Sequence, residues 1–345
     1  MIEKNNFYLR EAKKIEDLLQ THQNILIISH PYPDGDSIGA SLALYMVFKK
    51  LGHEVNIIIP NVHPPFLGWL PAVQNIIIYE QHIQAARKLI QETRLVFCVD
   101  FNNLKRLNQL SSLFNEDNHK YVLIDHHPQP DNYFDVKFHT IHVSSTSELV
   151  YELLLMMGLE DSIDLDVALN LYVGIMTDTG SFSYSCNYPR TYEITARLIE
   201  KGIDAQKTHN LIYDTFSELR MRLLGYLLLN RMIVMQEYKT AYMWLSLEDQ
   251  KTFQFQPGDA EGFVNYALAI EGIRLAAFFT EKPDMVRVSF RSKGSFSVNE
   301  LARKYFDGGG HLNAAGANSY KTLQETLRYF EAVVKENIIA LCQKD

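Results

Sequence analysis

The stretch HPYPDGD places three metal-capable side chains, His30, Asp34 and Asp36, within seven residues. It follows the apolar run NILIIS, residues 24–29, which reads as a buried strand, and precedes a helix-like pattern that begins near Ser37. Comparable residues recur further on. Asp100 closes LVFCVD, Asp125, His126 and His127 close YVLIDHH, and Asp178 in GIMTDTGSF follows another apolar run. An aspartate after a strand is usually a cap or turn residue, and a lone histidine is usually structural. Their conjunction points elsewhere. Four strand ends that converge with carboxylates and imidazoles offer oxygen and nitrogen ligands and no thiolate. That set suits Mn²⁺, Mg²⁺ or a similar divalent ion better than a structural zinc.

These carboxylates are too many for one ion. If they meet, their repulsion calls for more than one positive charge, and a shared aspartate bridges two metals about 3.5–4 Å apart. Such a centre lowers the pKa of a bridging water and stabilises charge on a phosphoryl group, so the expected reaction is hydrolysis of a phosphate ester or anhydride. Gly35 is expected to permit a tight turn between Asp34 and Asp36, and the helix from Ser37 to point its positive end back toward this edge.

The elements that must position these residues follow from hydrophobic patterning. After NILIIS come EVNIII (54–59), NIIIY (75–79), RLVFCVD ending at Asp100 and KYVLIDHH ending at His127, separated by helix-like segments. Continuous apolar runs of this kind predict parallel strands covered on both faces, with ligands beyond their carboxyl ends. Helical patterning is expected at 147–158, 166–177 and 190–235. Strand signals return in TAYMWLSL, IRLAAFFTE and MVRVSFRSK, before a helix at 298–305, a glycine cluster and a helix near 321–341.

The fold class is therefore α/β, a doubly wound, mainly parallel sheet joined by a helical linker to a smaller α/β domain. The expected boundaries are 1–189, 190–236 and 237–345, with the active site in the cleft between domains. A chain of 345 residues suits two domains. Through Arg190 there are 14 Lys and Arg against 22 Asp and Glu, and from Thr191 onward 19 against 19, so the excess acid lies in the first half. That balance argues against coating duplex nucleic acid. The N-terminus reads as an amphipathic charged helix, no apolar window reaches membrane-spanning length, and Cys98, Cys186 and Cys342 fit no disulfide or zinc pattern. A cytoplasmic protein that uses no membrane is expected.

In the second half, FDGGGHLNAAG sets three glycines before a histidine. Without side chains, Gly308, Gly309 and Gly310 could bring backbone N–H groups close to an anion beside His311. Arg291 and Lys293, near the end of a predicted strand, would add a bidentate and a point-charge phosphate contact.

The set SHPYPDGDS, CVD, IDHH and IMTDTGSF resembles the four motifs of the DHH phosphoesterase superfamily, and VSFRSKG with FDGGGHLNAAG is similar to its DHHA1 domain. The resemblance spans about Ile25 to Gly316 and is greatest to the NrnA-like oligoribonucleases and pAp phosphatases. It implies that His30, Asp34 and Asp100 hold one metal and that Asp36, Asp100, His126 and Asp178 hold the other, with Asp100 as the bridge. It further implies that His127 faces the substrate, that Asp125 orients a histidine, and that Arg291, Lys293, the glycines and His311 grip the nucleotide end. The implied cofactors are two divalent ions, Mn²⁺ foremost, with Mg²⁺ or Co²⁺ as substitutes.

The implied activity is exonucleolytic hydrolysis of short single-stranded RNA to mononucleotides and of 3′-phosphoadenosine 5′-phosphate (pAp) to AMP. Alternatives are a cyclic- or linear-dinucleotide phosphodiesterase and a pyrophosphatase or exopolyphosphatase. The superfamily's pyrophosphatases carry an Arg-Lys-Lys signature where this chain has GGGH. A non-catalytic nucleotide-binding module would lack a ligand, yet every matched position is filled. Tyr32 departs from the pattern, since many members have asparagine there. Apolar helix faces in 190–236 leave room for a homodimer.

Overall fold

The computed structural model describes residues 6–114, 118–256 and 258–343, apart from the side chains of residues 108 and 109. The termini of the expected domains at 1 and 345 lie outside the described residues. The chain divides between Thr215 and Phe216 into two compact units. The helices of the stretch expected as a linker at 190–236 fall on both sides of that division.

The first unit contains α1 (Asn6–Thr21), β1 (Asn24–Ser29), α2 (Gly35–Lys50), β2 (Glu54–Ile59), β3 (Ile76–Ile78), α3 (Ile83–Glu92), β4 (Leu95–Val99), β5 (Lys120–Asp125), β6 (Val136–His139), α4 (Thr146–Met156), α5 (Leu165–Asp178), α6 (Pro189–Glu200) and α7 (Ala205–Tyr213). Its six strands are all parallel, in the order β3-β2-β1-β4-β5-β6. The continuous apolar runs have a plain cause: both faces are covered. Along β1, Ile25 and Ile27 join the core that includes residues of α2, α4 and α5, while Leu26 and Ile28 join the core on the α3 side.

The second unit contains α8 (Glu218–Asn230), β7 (Met232–Met235), β8 (Thr240–Leu245), α9 (Leu247–Thr252), α10 (Phe263–Leu268), β9 (Leu275–Glu281), β10 (Val286–Ser292), α11 (Val298–Tyr305), β11 (Asp307–Gly310), β12 (Ala314–Ser319), α12 (Leu323–Glu336) and α13 (Ile338–Cys342). Its six-stranded sheet runs β11-β12-β10-β9-β8-β7 and is antiparallel except at β8–β9. The doubly wound first sheet and the smaller α/β second unit are the fold class expected from the sequence.

The local differences have physical reasons. β6 and β7 are only four residues each and too short to show a period. The final helix breaks at Asn337, whose side-chain amide donates to the Val333 carbonyl at 2.8 Å. The glycine cluster is not a loop. Gly308–Gly310 form β11, an edge strand paired to β12 in the register Gly309↔Gly316.

Candidate metal centre

In the strand order of the first sheet, the chain winds outward in opposite directions from β1 and β4. The crevice beyond the carboxyl ends of those two strands is the switch point at which open α/β sheets bind ligands. β1 leads into His30, Asp34 and Asp36, and β4 into Asp100. β5 ends in Asp125, with His126 and His127 directly after it. Asp178 differs from the expected strand end, because it is the last residue of helix α5. A helix apolar on nearly every side reads in sequence much like a buried strand, and α5 is buried against α2.

That helix contact explains two glycines. A Cβ on Gly35 would lie 2.3 Å from Thr177 Oγ1, and one on Gly174 would lie 1.9 Å from Ser147 Oγ and 2.9 Å from Asp36 Oδ1. Gly35 is thus required by the approach of α5 rather than by a turn. Gly174 clears the space that Asp36 occupies.

Among the groups of side chains that form, Asp100 faces two that matter most here. In one, His30 Nε2 lies 3.3 Å from Asp100 Oδ2 and 3.7 Å from Asp34 Oδ2. In the other, His126 Nε2 lies 3.3 Å from Asp178 Oδ2, 3.7 Å from Asp100 Oδ1 and 4.0 Å from Asp36 Oδ2. Within His30–Asp34–Asp100 and within Asp36–His126–Asp178, the ligand atoms all lie within 4.8 Å of one another. Each group offers carboxylate oxygen and imidazole nitrogen, a donor set that fits a divalent cation.

The surrounding bonds fix orientation. His30 places Nδ1 2.9 Å from the Pro31 carbonyl, which turns Nε2 toward the aspartates. Asp34 is both helix cap and candidate ligand: its Oδ1 accepts from Ser37 N at 3.0 Å in a capping box, while Oδ2 faces His30. His127 Nδ1 is 2.7 Å from Asp125 Oδ1, and the His127 N–H donates to Asp125 Oδ2. Asp100 adopts φ 64°, in the left-handed region, while its N–H continues the sheet by donating to Ile124 O at 3.0 Å. Aspartate tolerates that conformation better than most residues.

Electrostatics favour cations here. Burial first, and then the neighbouring Asp100 charge, push the Asp36 and Asp125 carboxyls well above the usual range. Burial opposes protonation of His30, yet the Asp100 bond and the charges of Asp34 and Asp100 raise it to about 9. Asp100 is itself held low by His30 and His126 against the cost of burial. Burial lowers His126, which favours the neutral imidazole that a metal takes. The crevice therefore holds more negative charge than it can solvate, and a proton or a cation relieves it.

Thr146 and Ser147, in the SSTSE run that opens α4, had no role in the reading of residue order. Thr146 N donates to Asp36 Oδ2 at 2.7 Å, Ser147 N to Asp36 Oδ1 at 2.8 Å, and Thr146 Oγ1 to Asp100 Oδ1 at 2.7 Å. The next two N–H groups go to Ser145, one to its hydroxyl and one to its carbonyl. All four first-turn donors of α4 are thus satisfied, two of them by Asp36. A hydroxyl-rich helix start is the only signal in the sequence, and it does not reveal a partner 110 residues away.

In the second unit, Arg291 lies on the half-exposed face of β10 with Arg287 and Ser289. Its Nε is buried without a hydrogen-bond acceptor. Lys293 is exposed. The N–H groups of Gly310 and His311 donate to Asn299 Oδ1 and Ala314 O, so those two are directed at protein acceptors and not into an anion cradle. The triplet serves close strand contact: a Cβ on Gly308 would lie 2.3 Å from Gly316 O.

Comparison with known proteins agrees with this division of the chain. Residues 24–175 match the DHH family N-terminal domain, and residues 238–338 match the DHHA1 domain. A Bacillus subtilis protein named bifunctional oligoribonuclease and PAP phosphatase NrnA is 30% identical over 304 residues, which cover 88% of this chain and 91% of the relative. A Streptococcus mutans protein with the same name, qualified as probable, is 27% identical, covering 92% of this chain and 97% of the relative. The crystal structure of an exopolyphosphatase-related protein from Bacteroides fragilis superposes with a TM-score of 0.91 at 38% identity, covering 97% of this chain and 98% of the other. From the arrangement of its strand ends to these similarities along its length, the chain belongs to the DHH family, with a DHHA1 domain following the DHH domain.

Proposed function

We propose that this protein is a two-metal phosphoesterase that hydrolyses short single-stranded oligoribonucleotides exonucleolytically to mononucleotides, and pAp to AMP. The observation that carries the reading is Asp100: one carboxylate oxygen faces His30 and the other faces His126, as a bridging ligand requires. His30, Asp34 and Asp100 would hold one ion, and Asp36, Asp100, His126 and Asp178 the other, with Mn²⁺ favoured over Mg²⁺ or Co²⁺. When bound, such ions supply Lewis acidity and an ionised water at neutral pH. The chain's own residues do the rest. Asp125 holds Nδ1 of His127 and so orients the ring, and His127 is proposed to exchange a proton with a phosphate or leaving-group oxygen.

Arg291, Lys293, Gly308, Gly309, Gly310 and His311 are proposed to hold the nucleotide end of the substrate. The orphaned Arg291 Nε supports this, since a buried guanidinium donor needs an acceptor and phosphate is a good one. The names of the Bacillus and Streptococcus relatives support the same substrates. No described helix is long and apolar enough to cross a membrane. A cytoplasmic location, argued from the three unpatterned cysteines, is part of the proposal. So is a homodimer, which the exposed Leu219, Met221 and Leu229 of α8 favour.

The Bacteroides structure, described as exopolyphosphatase-related, favours a second reading in which the substrate is a chain of phosphoanhydrides. Rates with Mn²⁺ on two-to-five-nucleotide RNA, pAp, linear and cyclic di-adenylate, pyrophosphate and polyphosphate separate the two. RNA and pAp turn over fastest under the first reading. Preference for polyphosphate over both would replace it with the second.

A further inference from the structure

Thr146 hydrogen-bonds two of the candidate ligands, Asp36 and Asp100. Its N–H donates to Asp36 Oδ2 and its hydroxyl to Asp100 Oδ1, each at 2.7 Å. It is fully buried at the first position of α4, a helix of 11 residues, so the hydroxyl is held by the same backbone that anchors Asp36. Asp100 Oδ1 is also the oxygen 3.7 Å from His126 Nε2, whereas Oδ2 faces His30. With one Oδ1 lone pair taken by the hydroxyl, the carboxylate cannot rotate to exchange its oxygens without breaking that bond.

We propose that Thr146 is a positioning residue that assigns the two oxygens of Asp100 to different ions and sets the affinity of the ion held by Asp36, His126 and Asp178. The inference rests on the two-metal reading and goes beyond it by making the two ions unequal in their dependence on one hydroxyl. Both Thr146 contacts fall on ligands of that second group, and none of its hydrogen bonds reaches His30 or Asp34. Thr146→Val removes the hydroxyl while keeping the shape and the N–H bond to Asp36. Thr146→Ala provides a second deletion if the valine does not pack, and Thr146→Ser restores the donor.

The test is a Mn²⁺ titration of the full chain by isothermal calorimetry and electron paramagnetic resonance, with thermal unfolding of the metal-free protein alongside. We expect wild type and Thr146→Ser to bind two ions. In Thr146→Val or Thr146→Ala, one ion should weaken by about 10–100-fold while the other stays within about threefold, the range seen when an outer hydrogen bond to a ligand is removed. Hydrolysis by the deletion variants should recover at high Mn²⁺. Two unchanged affinities in a folded deletion variant overturn the inference and leave the two-metal reading standing. Equal weakening of both ions, or weakening that Thr146→Ser shares, also overturns it. A wild type that binds fewer than two ions sinks the two-metal reading, and this inference with it.

Discussion

The two sheets have six strands each, and they treat charged residues in opposite ways. In the first, parallel sheet, helices cover both faces, so polar residues have only the carboxyl ends of the strands to occupy. Five aspartates and three histidines from different segments gather there, most of them buried. In the second, mainly antiparallel sheet, β10 is buried on one face and half-exposed on the other, and Arg287, Ser289 and Arg291 are displayed along it in alternation. Parallel topology concentrates charge at one point. Antiparallel topology spreads it along a surface, which suits recognition better than bond breaking.

Deleting charge from each sheet should separate these roles. The largest effect is expected at Asp100, for which asparagine is the chosen replacement because it also tolerates the left-handed backbone. Asp100→Asn should lower kcat/KM by roughly 10³-fold or more, about 4 kcal/mol of transition-state stabilisation, and should disturb both ions in a Mn²⁺ titration. Full activity in that variant would remove the bridge. Arg291→Ala should act mainly on KM, raising it by about 10–100-fold, the loss of one charge-assisted phosphate contact, with Mn²⁺ binding unchanged. A fall in kcat alone would show that the second unit takes part in the chemistry.

Proton linkage offers a third contrast. The folded state raises His30 from 6.5 to about 9, so its contribution to stability is complete below 6.5 and is lost as pH rises through about 9. Asp36 and Asp125, both raised, act in the same direction, because their protonated forms are favoured in the folded chain. The metal-free protein should lose on the order of 1–3 kcal/mol between pH 6.5 and 9, and saturating Mn²⁺ should flatten that slope. Thermal melts across that window with and without the ion provide the check. A slope unchanged by Mn²⁺ would place the ion elsewhere.

The smallest effect concerns Tyr32, between His30 and Asp34. It sits at φ 57° with its N–H donating to Asn61 Oδ1, half-exposed. A bulky ring in the left-handed region is strained, and asparagine tolerates that backbone better. Tyr32→Asn should raise the stability of the first unit by about 1 kcal/mol in urea unfolding. A destabilised variant would mean that packing of the ring outweighs the strain.

Much of this site was legible in residue order. His30, Asp34, Asp100 and the Asp125-His126-His127 run stand directly after strands whose apolar runs are unmistakable, and the topology rule gives them a common edge. Asp178 was legible as a candidate and misread as to its element, since a buried helix and a buried strand are alike in an all-apolar run. The GGGH segment misled in a different way. Glycine permits both an anion-binding turn and a close strand contact, and only its pairing with β12 distinguishes them.

By itself, the sequence determined the class of fold, the ends of the long apolar strands that carry His30, Asp100 and Asp125, and the kinds of atom available for ligation, because hydrophobic period and side-chain chemistry are local properties. Tertiary structure decided the rest: that Asp100 turns one oxygen to each histidine group, that Gly35 and Gly174 exist to let α5 approach α2, and that Thr146 joins Asp36 to Asp100. These depend on segments more than 25 residues apart reaching the same few ångströms. Distance in the chain carries no trace of that proximity, since it arises only when both faces of the sheet are packed.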